Sequence, residues 1–148
     1  MIIINIANQT LNFQDKTYAI SSAANGVGEQ EGSFCTPLGK FKIAEKIGQD
    51  LALNSVLKGR VFTGEIYNVD LAQKNPQRDW ILTRILWLDG LESHNKNTKE
   101  RYIYIHGSPD ETPMGIPGSK GCIRMHNKDM IELFDLVQTS EDVAIIAS

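Results

Sequence analysis

Residues 101–125 read RYIYIHGSPDETPMGIPGSKGCIRM, and the fold turns on this stretch. Arg101 to Ile105 reads as a strand running into His106. The next fifteen residues hold Gly107, Pro109, Pro113, Gly115, Pro117, Gly118 and Gly121, a density that forbids a regular helix. The segment is therefore a long loop held at both ends by a rigid sheet, a kind of segment that commonly carries function. It delivers the chain into Ser119-Lys120-Gly121-Cys122-Ile123-Arg124.

Working outward, the C-terminal side predicts one short helix and a closing strand. Asn127 is a good N-cap. Met130, Leu133, Phe134 and Val137 follow at the spacing of one amphipathic stripe, and Val143 to Ala147 reads as a strand. On the N-terminal side, Ile2, Ile4 and Ile6 alternate with other residues, as on a strand with one buried face. Asn8-Gln9 is a turn, Leu11 and Phe13 alternate again, Asp15-Lys16 turns, and Thr17 to Ser22 is a third strand. Residues 23–39 are turn-rich, and Phe41 and Ile43 suggest a further strand. Residues 48–60 fit a short helix or an irregular loop. Val61 to Val69 reads as a strand, Asn75-Pro76 as a loop, and the apolar run from Trp80 to Leu88 as a central strand ended by Asp89-Gly90. The pattern is mainly β in one domain spanning residues 1–148, without repeats, linker or low-complexity segment.

A chain of 148 residues buries about two-thirds of its unfolded surface and needs no disulfide or metal to fold. Its net charge of -3 argues against nucleic acid and anionic membranes as main partners, since both favour a basic face. No stretch approaches a membrane span, and no basic start with an apolar run marks a secretory signal; the expected location is the cytoplasm, or the periplasm if this chain is a processed form. The two cysteines, Cys35 and Cys122, are too few for a disulfide framework and are read as free thiols.

The chemistry lies in His106 and Cys122. A thiol attacks as thiolate, and an imidazole nearby makes attack practical at neutral pH. A strand end followed by a closed loop can bring the two together, within hydrogen-bonding range of each other. Gly121 lets the backbone pass close to a substrate, and the N–H groups of Gly121 and Cys122 could stabilise the oxygen of a tetrahedral intermediate, each such donor being worth roughly 2.7–4 kcal/mol.

These residues resemble a known family. His106-Gly107, the Gly/Pro-rich spacer and SKGCIRM at 119–125 look like the signature of the L,D-transpeptidase catalytic domain, and Thr36-Pro37-Leu38-Gly39-Lys40-Phe41 resembles a second family stretch. The resemblance covers nearly the whole chain. It implies a curved β-sandwich or barrel-like sheet with a short helix. It implies that Cys122 attacks the carbonyl of the third residue of a peptidoglycan tetrapeptide stem, that D-alanine leaves, and that a thioester remains for an amine (a 3→3 crosslink) or water (a tripeptide). His106 serves as base and then acid, the Gly107 carbonyl or a nearby group holds its tautomer, and carbapenem-type β-lactams acylate the same cysteine. The family often has His where this chain has Lys120; the position acts mainly through its backbone, so the chemistry is expected to survive. With no export signal, water is the expected acceptor, which makes the activity that of an L,D-carboxypeptidase of murein recycling.

Further substrate contacts are expected from Arg124, by its fork, or else Arg124 braces the loop. Ser119 orients the loop or touches substrate, and the Lys120 ammonium attracts a substrate carboxylate or is simply solvated. Arg84 interrupts an apolar strand, needs a partner there, and is offered as a carboxylate ligand. Cys35 is read as structural, His126 as a capping or surface residue and His94 as solvated. No cofactor and no metal is expected. A zinc site from Cys35, Cys122, His106 and His126 has the right ligand types but no standard spacing, and a non-catalytic wall-peptide binding module is the remaining alternative.

Overall fold

The computed structural model describes residues 1–148. In chain order the elements are β1 (Ile2–Asn5), β2 (Thr10–Phe13), β3 (Lys16–Ser21), β4 (Gly39–Ile47), β5 (Ser55–Lys58), β6 (Val61–Ile66), α1 (Val69–Lys74), β7 (Ile81–Gly90), β8 (Tyr104–Ser108), β9 (Ile123–His126), α2 (Asn127–Leu136) and β10 (Asp142–Ile146). The sheet runs β4-β10-β1-β2-β3-β9-β8-β7, and a further β4–β7 pairing closes it on itself. The result is the mainly β, barrel-like architecture expected. Closure removes sheet edges that would otherwise present unpaired backbone groups. The β5–β6 hairpin hangs outside the ring, joined to β7 through Val56↔Leu82 and Leu57↔Ile81.

Alternation sorts the side chains into two cores. The inner faces of β1, β2, β4, β8, β9 and β10 supply Ile2, Ile4, Leu11, Phe41, Ile105, Ile123, Met125 and Val143 to a cluster of 20 buried residues. Helix α2 adds Met130, Leu133, Phe134 and, just past its end, Val137 to the same cluster. The stripe read from the sequence is thus the one that packs, against β7, β8 and β9. Outside the ring, Ile85, Leu57 and Tyr104 form a smaller cluster on which Trp87, Ile81 and Cys122 pack.

The structure departs from the sequence reading at several places. The strand expected to reach Val69 stops at Ile66; Asn68 accepts a hydrogen bond from the Leu71 N–H and caps α1, so there are two helices rather than one. Residues 48–60 contain the strand β5. The strand before His106 starts at Tyr104, after a left-handed Tyr102 (φ 58°), and continues past His106 to Ser108. Asn127 is not the cap of α2. His126 occupies that position without a side-chain bond, and Asn127 is buried, donating from Nδ2 to Asn54 Oδ1 (2.8 Å) and accepting at Oδ1 from Thr83 Oγ1 (2.9 Å). Thr83 itself is left-handed (φ 74°) at the register shift in β7 and accepts from the Asn54 N–H at 3.1 Å.

This buried triangle pins the start of α2, the bulge of β7 and the loop before β5 to one another. Asn127→Ala leaves its partners without their buried bonds, a loss of roughly 1–3 kcal/mol. Urea unfolding should show a lower midpoint with unchanged slope; an unchanged midpoint would mean the triangle contributes nothing.

Candidate active site

Strands β8 and β9 run parallel in the register Ile105↔Ile123, His106↔Arg124. Because Ile103, Ile105, Ile123 and Met125 point into the main core, alternation turns Tyr104, His106, Cys122 and Arg124 to the opposite face. Cys122 lies beside Tyr104, whose N–H donates to its Sγ at 3.3 Å, and the thiol faces the Tyr102 carbonyl oxygen at 3.4 Å. His106 is one step of the alternation further along the neighbouring strand. Strand spacing and rise put the two Cα atoms roughly 8 Å apart on one face, within reach of a thiol and an imidazole turned towards each other. Both side chains line one groove of about 680 Å³.

No hydrogen bond joins them, contrary to the contact expected from the sequence. The reason is local: the sulfur is taken up by the backbone of Tyr104 and Tyr102, while His106 Nδ1 lies 2.7 Å from the Gly107 carbonyl oxygen. That carbonyl makes Nδ1 the protonated nitrogen and leaves Nε2 as an acceptor. Gly107 is required here, since a Cβ would collide with Asn127 Oδ1 and Leu82 O.

The environment disfavours charge on both groups. Burial lowers the His106 pKa, opposed by the Gly107 carbonyl and Asp79, with Arg124 adding to the fall. Burial pushes the Cys122 thiol up to about 12; the Tyr104 N–H, Arg124 and Arg101 pull the other way, and Asp79 adds to the rise. At neutral pH the resting pair is a neutral thiol beside a neutral imidazole.

The turn before the cysteine is fixed by small bonds. Ser119 Oγ donates to the Cys122 carbonyl at 2.5 Å and accepts from the Gly121 N–H at 3.2 Å. Thr36 Oγ1 donates to the Gly121 carbonyl at 2.9 Å, which explains the Thr36 of the second motif. Gly121 has φ +127°, and a Cβ there would sit 3.2 Å from the Cys35 carbonyl oxygen. Of the two N–H groups expected to face an oxyanion, that of Gly121 is thus already committed to Ser119, whereas that of Cys122 donates to no acceptor within the protein.

The remaining expected residues divide. Lys120 and Ser119 line the groove. Arg124 braces the loop: it donates to the Gly118 carbonyl and pairs with Asp79, each at 3.0 Å. Arg84 lies away from the groove, 7% exposed, donating from Nη1 to the carbonyls of Leu51 and Thr83 (both 2.8 Å), with its guanidinium over the Phe134 ring. The bulge at Thr83 turns it inward, so the partner its burial demands is backbone rather than substrate. Cys35 Sγ faces the carbonyls of Asn25 and Ser33, and its own carbonyl accepts from Arg101 at 2.7 Å. No group of three or more His, Cys, Asp or Glu side chains converges anywhere, so Cys35, Cys122, His106 and His126 do not form the zinc set. His94, although exposed, is anchored at 3.0 Å to the Leu38 carbonyl. Sequence reasoning missed Asp79 and Arg60, which lie far from the motif in the chain and are brought to the groove by the sheet, and gave Arg101 and Tyr104 no role beyond the strand that leads into His106.

A family model described as the L,D-transpeptidase catalytic domain (YkuD) matches residues 1–146. The Bacillus subtilis (strain 168) protein YkuD, named as an L,D-transpeptidase, is 36% identical over 83 residues, which are 56% of this chain and 43% of that protein. Among solved structures, an L,D-transpeptidase of Xylanimonas cellulosilytica superposes with a TM-score of 0.62 at 17% identity, over 98% of this chain and 59% of the other. L,D-transpeptidase 3 of Mycobacterium tuberculosis, in complex with a faropenem-derived adduct, does so with a TM-score of 0.58 at 17% identity, over 97% and 58%. The closed sheet and its groove thus define an L,D-transpeptidase-type domain, and this chain spans less than two-thirds of the relatives it matches. The chain belongs to the L,D-transpeptidase catalytic domain family.

The resting thiol is un-ionised, so its reactivity towards a small neutral alkylator should be low. At pH 7.5 iodoacetamide should label Cys122 at least about tenfold more slowly than free cysteine, with the rate still rising at pH 9. Peptide mapping separates Cys122 from Cys35. A plateau below pH 8 would reveal a preformed thiolate and contradict this reading of the site.

Proposed function

We propose that this domain cleaves the L,D-peptide bond before the terminal D-alanine of peptidoglycan tetrapeptide stems, by acyl transfer to Cys122 with water as the acceptor. The observation that carries the reading is the placement of Cys122 and His106 on one groove face, with Nδ1 held by Gly107 and the Cys122 N–H unoccupied.

The steps follow from those atoms. A peptide carbonyl seated over Cys122 brings its oxygen to the Cys122 N–H. As the S–C bond forms, the thiol proton passes to His106 Nε2, the nitrogen left free by the Gly107 carbonyl. The tetrahedral oxyanion is held by the Cys122 amide. Collapse breaks the C–N bond, and His106 returns the proton to the departing amine of D-alanine. Water then attacks the thioester, gives its proton to His106, and the sulfur leaves and is reprotonated. The products are a tripeptide and D-alanine. Neutral starting groups suit this sequence, since a protonated imidazole cannot take the thiol proton.

The groove volume of about 680 Å³ lies within the range of sites that enclose one short ligand, which supports a single bound stem. A second reading has an amine of another stem as acceptor, giving a 3→3 crosslink. It is favoured by an adjoining polar hollow of about 430 Å³ that shares Asp79 with the groove and is lined by Lys58, Glu65 and Arg78.

Incubation with tetrapeptide should release D-alanine and tripeptide without dimer; abundant 3→3 dimers would overturn water as acceptor. Cys122→Ala should abolish turnover with the fold intact, while Cys35→Ala should retain most activity. Because burial lowers the His106 pKa, kcat/KM should hold from neutral pH down to the ordinary imidazole range, ~6.5, and fall below it as Nε2 is protonated. A fall that begins above pH 7 would contradict a neutral base.

A further inference from the structure

The β5–β6 hairpin closes through a two-residue turn, Gly59-Arg60, between the paired Lys58 and Val61. Both turn residues are left-handed, with φ 55° and 66°. Such a turn matches the twist of a hairpin, and its second position favours glycine; a side chain there is strained, and strain of this kind is retained where the side chain has a use. Arg60 folds back from the turn into the groove that holds Cys122 and His106. Its guanidinium stacks over Trp87 (4.6 Å) and Tyr102 (5.0 Å), and Nη1 donates to Tyr104 Oη at 3.0 Å. Three aromatic side chains therefore hold a planar cation at the groove wall.

The other arginines are spoken for. Arg78 pairs with Glu65, Arg84 and Arg101 bind backbone carbonyls, and Arg124 pairs with Asp79. Nε and Nη2 of Arg60 have no acceptor in the protein. The ionisable groups of the groove are formally balanced, Arg60, Arg101 and Lys120 against Glu31, Asp79 and Glu100. Selection of an anion thus falls to a particular group rather than to the overall field. A pre-stacked guanidinium with two free N–H directions is built for a carboxylate.

We infer that Arg60 binds the free C-terminal carboxylate of the donor peptide, so that the site selects a terminal residue over an internal one. The inference rests on the stem-peptide reading above and names the residue that makes the reaction an exopeptidase one. It also places the leaving residue on the side of the groove covered by the β5–β6 hairpin.

The test measures binding without turnover. In the Cys122→Ala protein, calorimetric titration compares a stem tetrapeptide bearing a free C-terminus with its C-terminal amide. The free acid should bind tighter by roughly 10- to 100-fold, the range of a charge-assisted bond. Adding Arg60→Gln should bring the ratio close to one, Arg60→Lys should give an intermediate value, and Arg60→Gly, which suits the backbone of the turn, guards against a folding defect. A ratio unaffected by these changes, no acid preference at all, or no binding of either peptide overturns the assignment. Turnover by the cysteine-intact protein is read separately. D-alanine release with an Arg60-independent ratio defeats this inference alone; Arg60-dependent selectivity without D-alanine release defeats the hydrolytic reading alone.

Discussion

The parallel pairing of β8 with β9 is the constraint on which the rest depends. Its register sets Ile105 against Ile123, and the main core accepts both only if the residues between them face outward. That condition alone puts His106 and Cys122 on a common face. A slip of one residue by either strand would reverse the faces of that strand alone, turning its imidazole or its thiol into the apolar core, exposing its isoleucine and separating the pair. The long loop between the strands is what a parallel pair demands, and Ser119, Thr36 and the left-handed Gly121 fix where that loop re-enters the sheet.

The same packing sets the electrostatics. Cys122 rests on the small cluster of Leu57, Ile85 and Tyr104, and His106 is almost wholly enclosed. Desolvation then keeps both groups neutral, and the Tyr104 N–H and the Tyr102 carbonyl take the place of solvent around the sulfur. The Asp79–Arg124 pair at 3.0 Å acts on both titrating groups in opposite senses, so its net influence is small beside that of burial. In the proposed mechanism, charge develops only when a carbonyl is present to receive it.

Much of this was legible in the sequence. The alternation of Ile2, Ile4, Leu11 and Phe13, the stripe Met130-Leu133-Phe134-Val137 and the dense Gly/Pro loop each obey a local rule, and each formed as read. The family resemblance held as well, carried by two short stretches each local in the chain. What escaped was set by distant contacts. Asn127 has the chemistry of a cap, yet Thr83 and Asn54 claim its side chain. Arg84 has the chemistry of a ligand, yet the bulge at Thr83 delivers it to the carbonyls of Leu51 and Thr83. Helix α1 was missed although Asn68, Asp70 and Lys74 mark its ends, because Val61 to Val69 shows strand-forming residues and the helix buries no side chain to give it a stripe. Arg60 carries no local signal; its importance comes from Trp87 of β7, Tyr104 of β8 and Tyr102 in the turn before β8, which lie beneath it.

The central claim is that Cys122 carries the acyl group. Rapid mixing with stem tetrapeptide, acid quenching and peptide mapping by mass spectrometry tests it most directly. The account predicts a transient mass gain on the peptide containing Cys122, equal to the tetrapeptide less D-alanine (the tripeptide less water), reversible by hydroxylamine. Turnover with no adduct on that peptide at any quench time, or the same mass found on another residue, would contradict it.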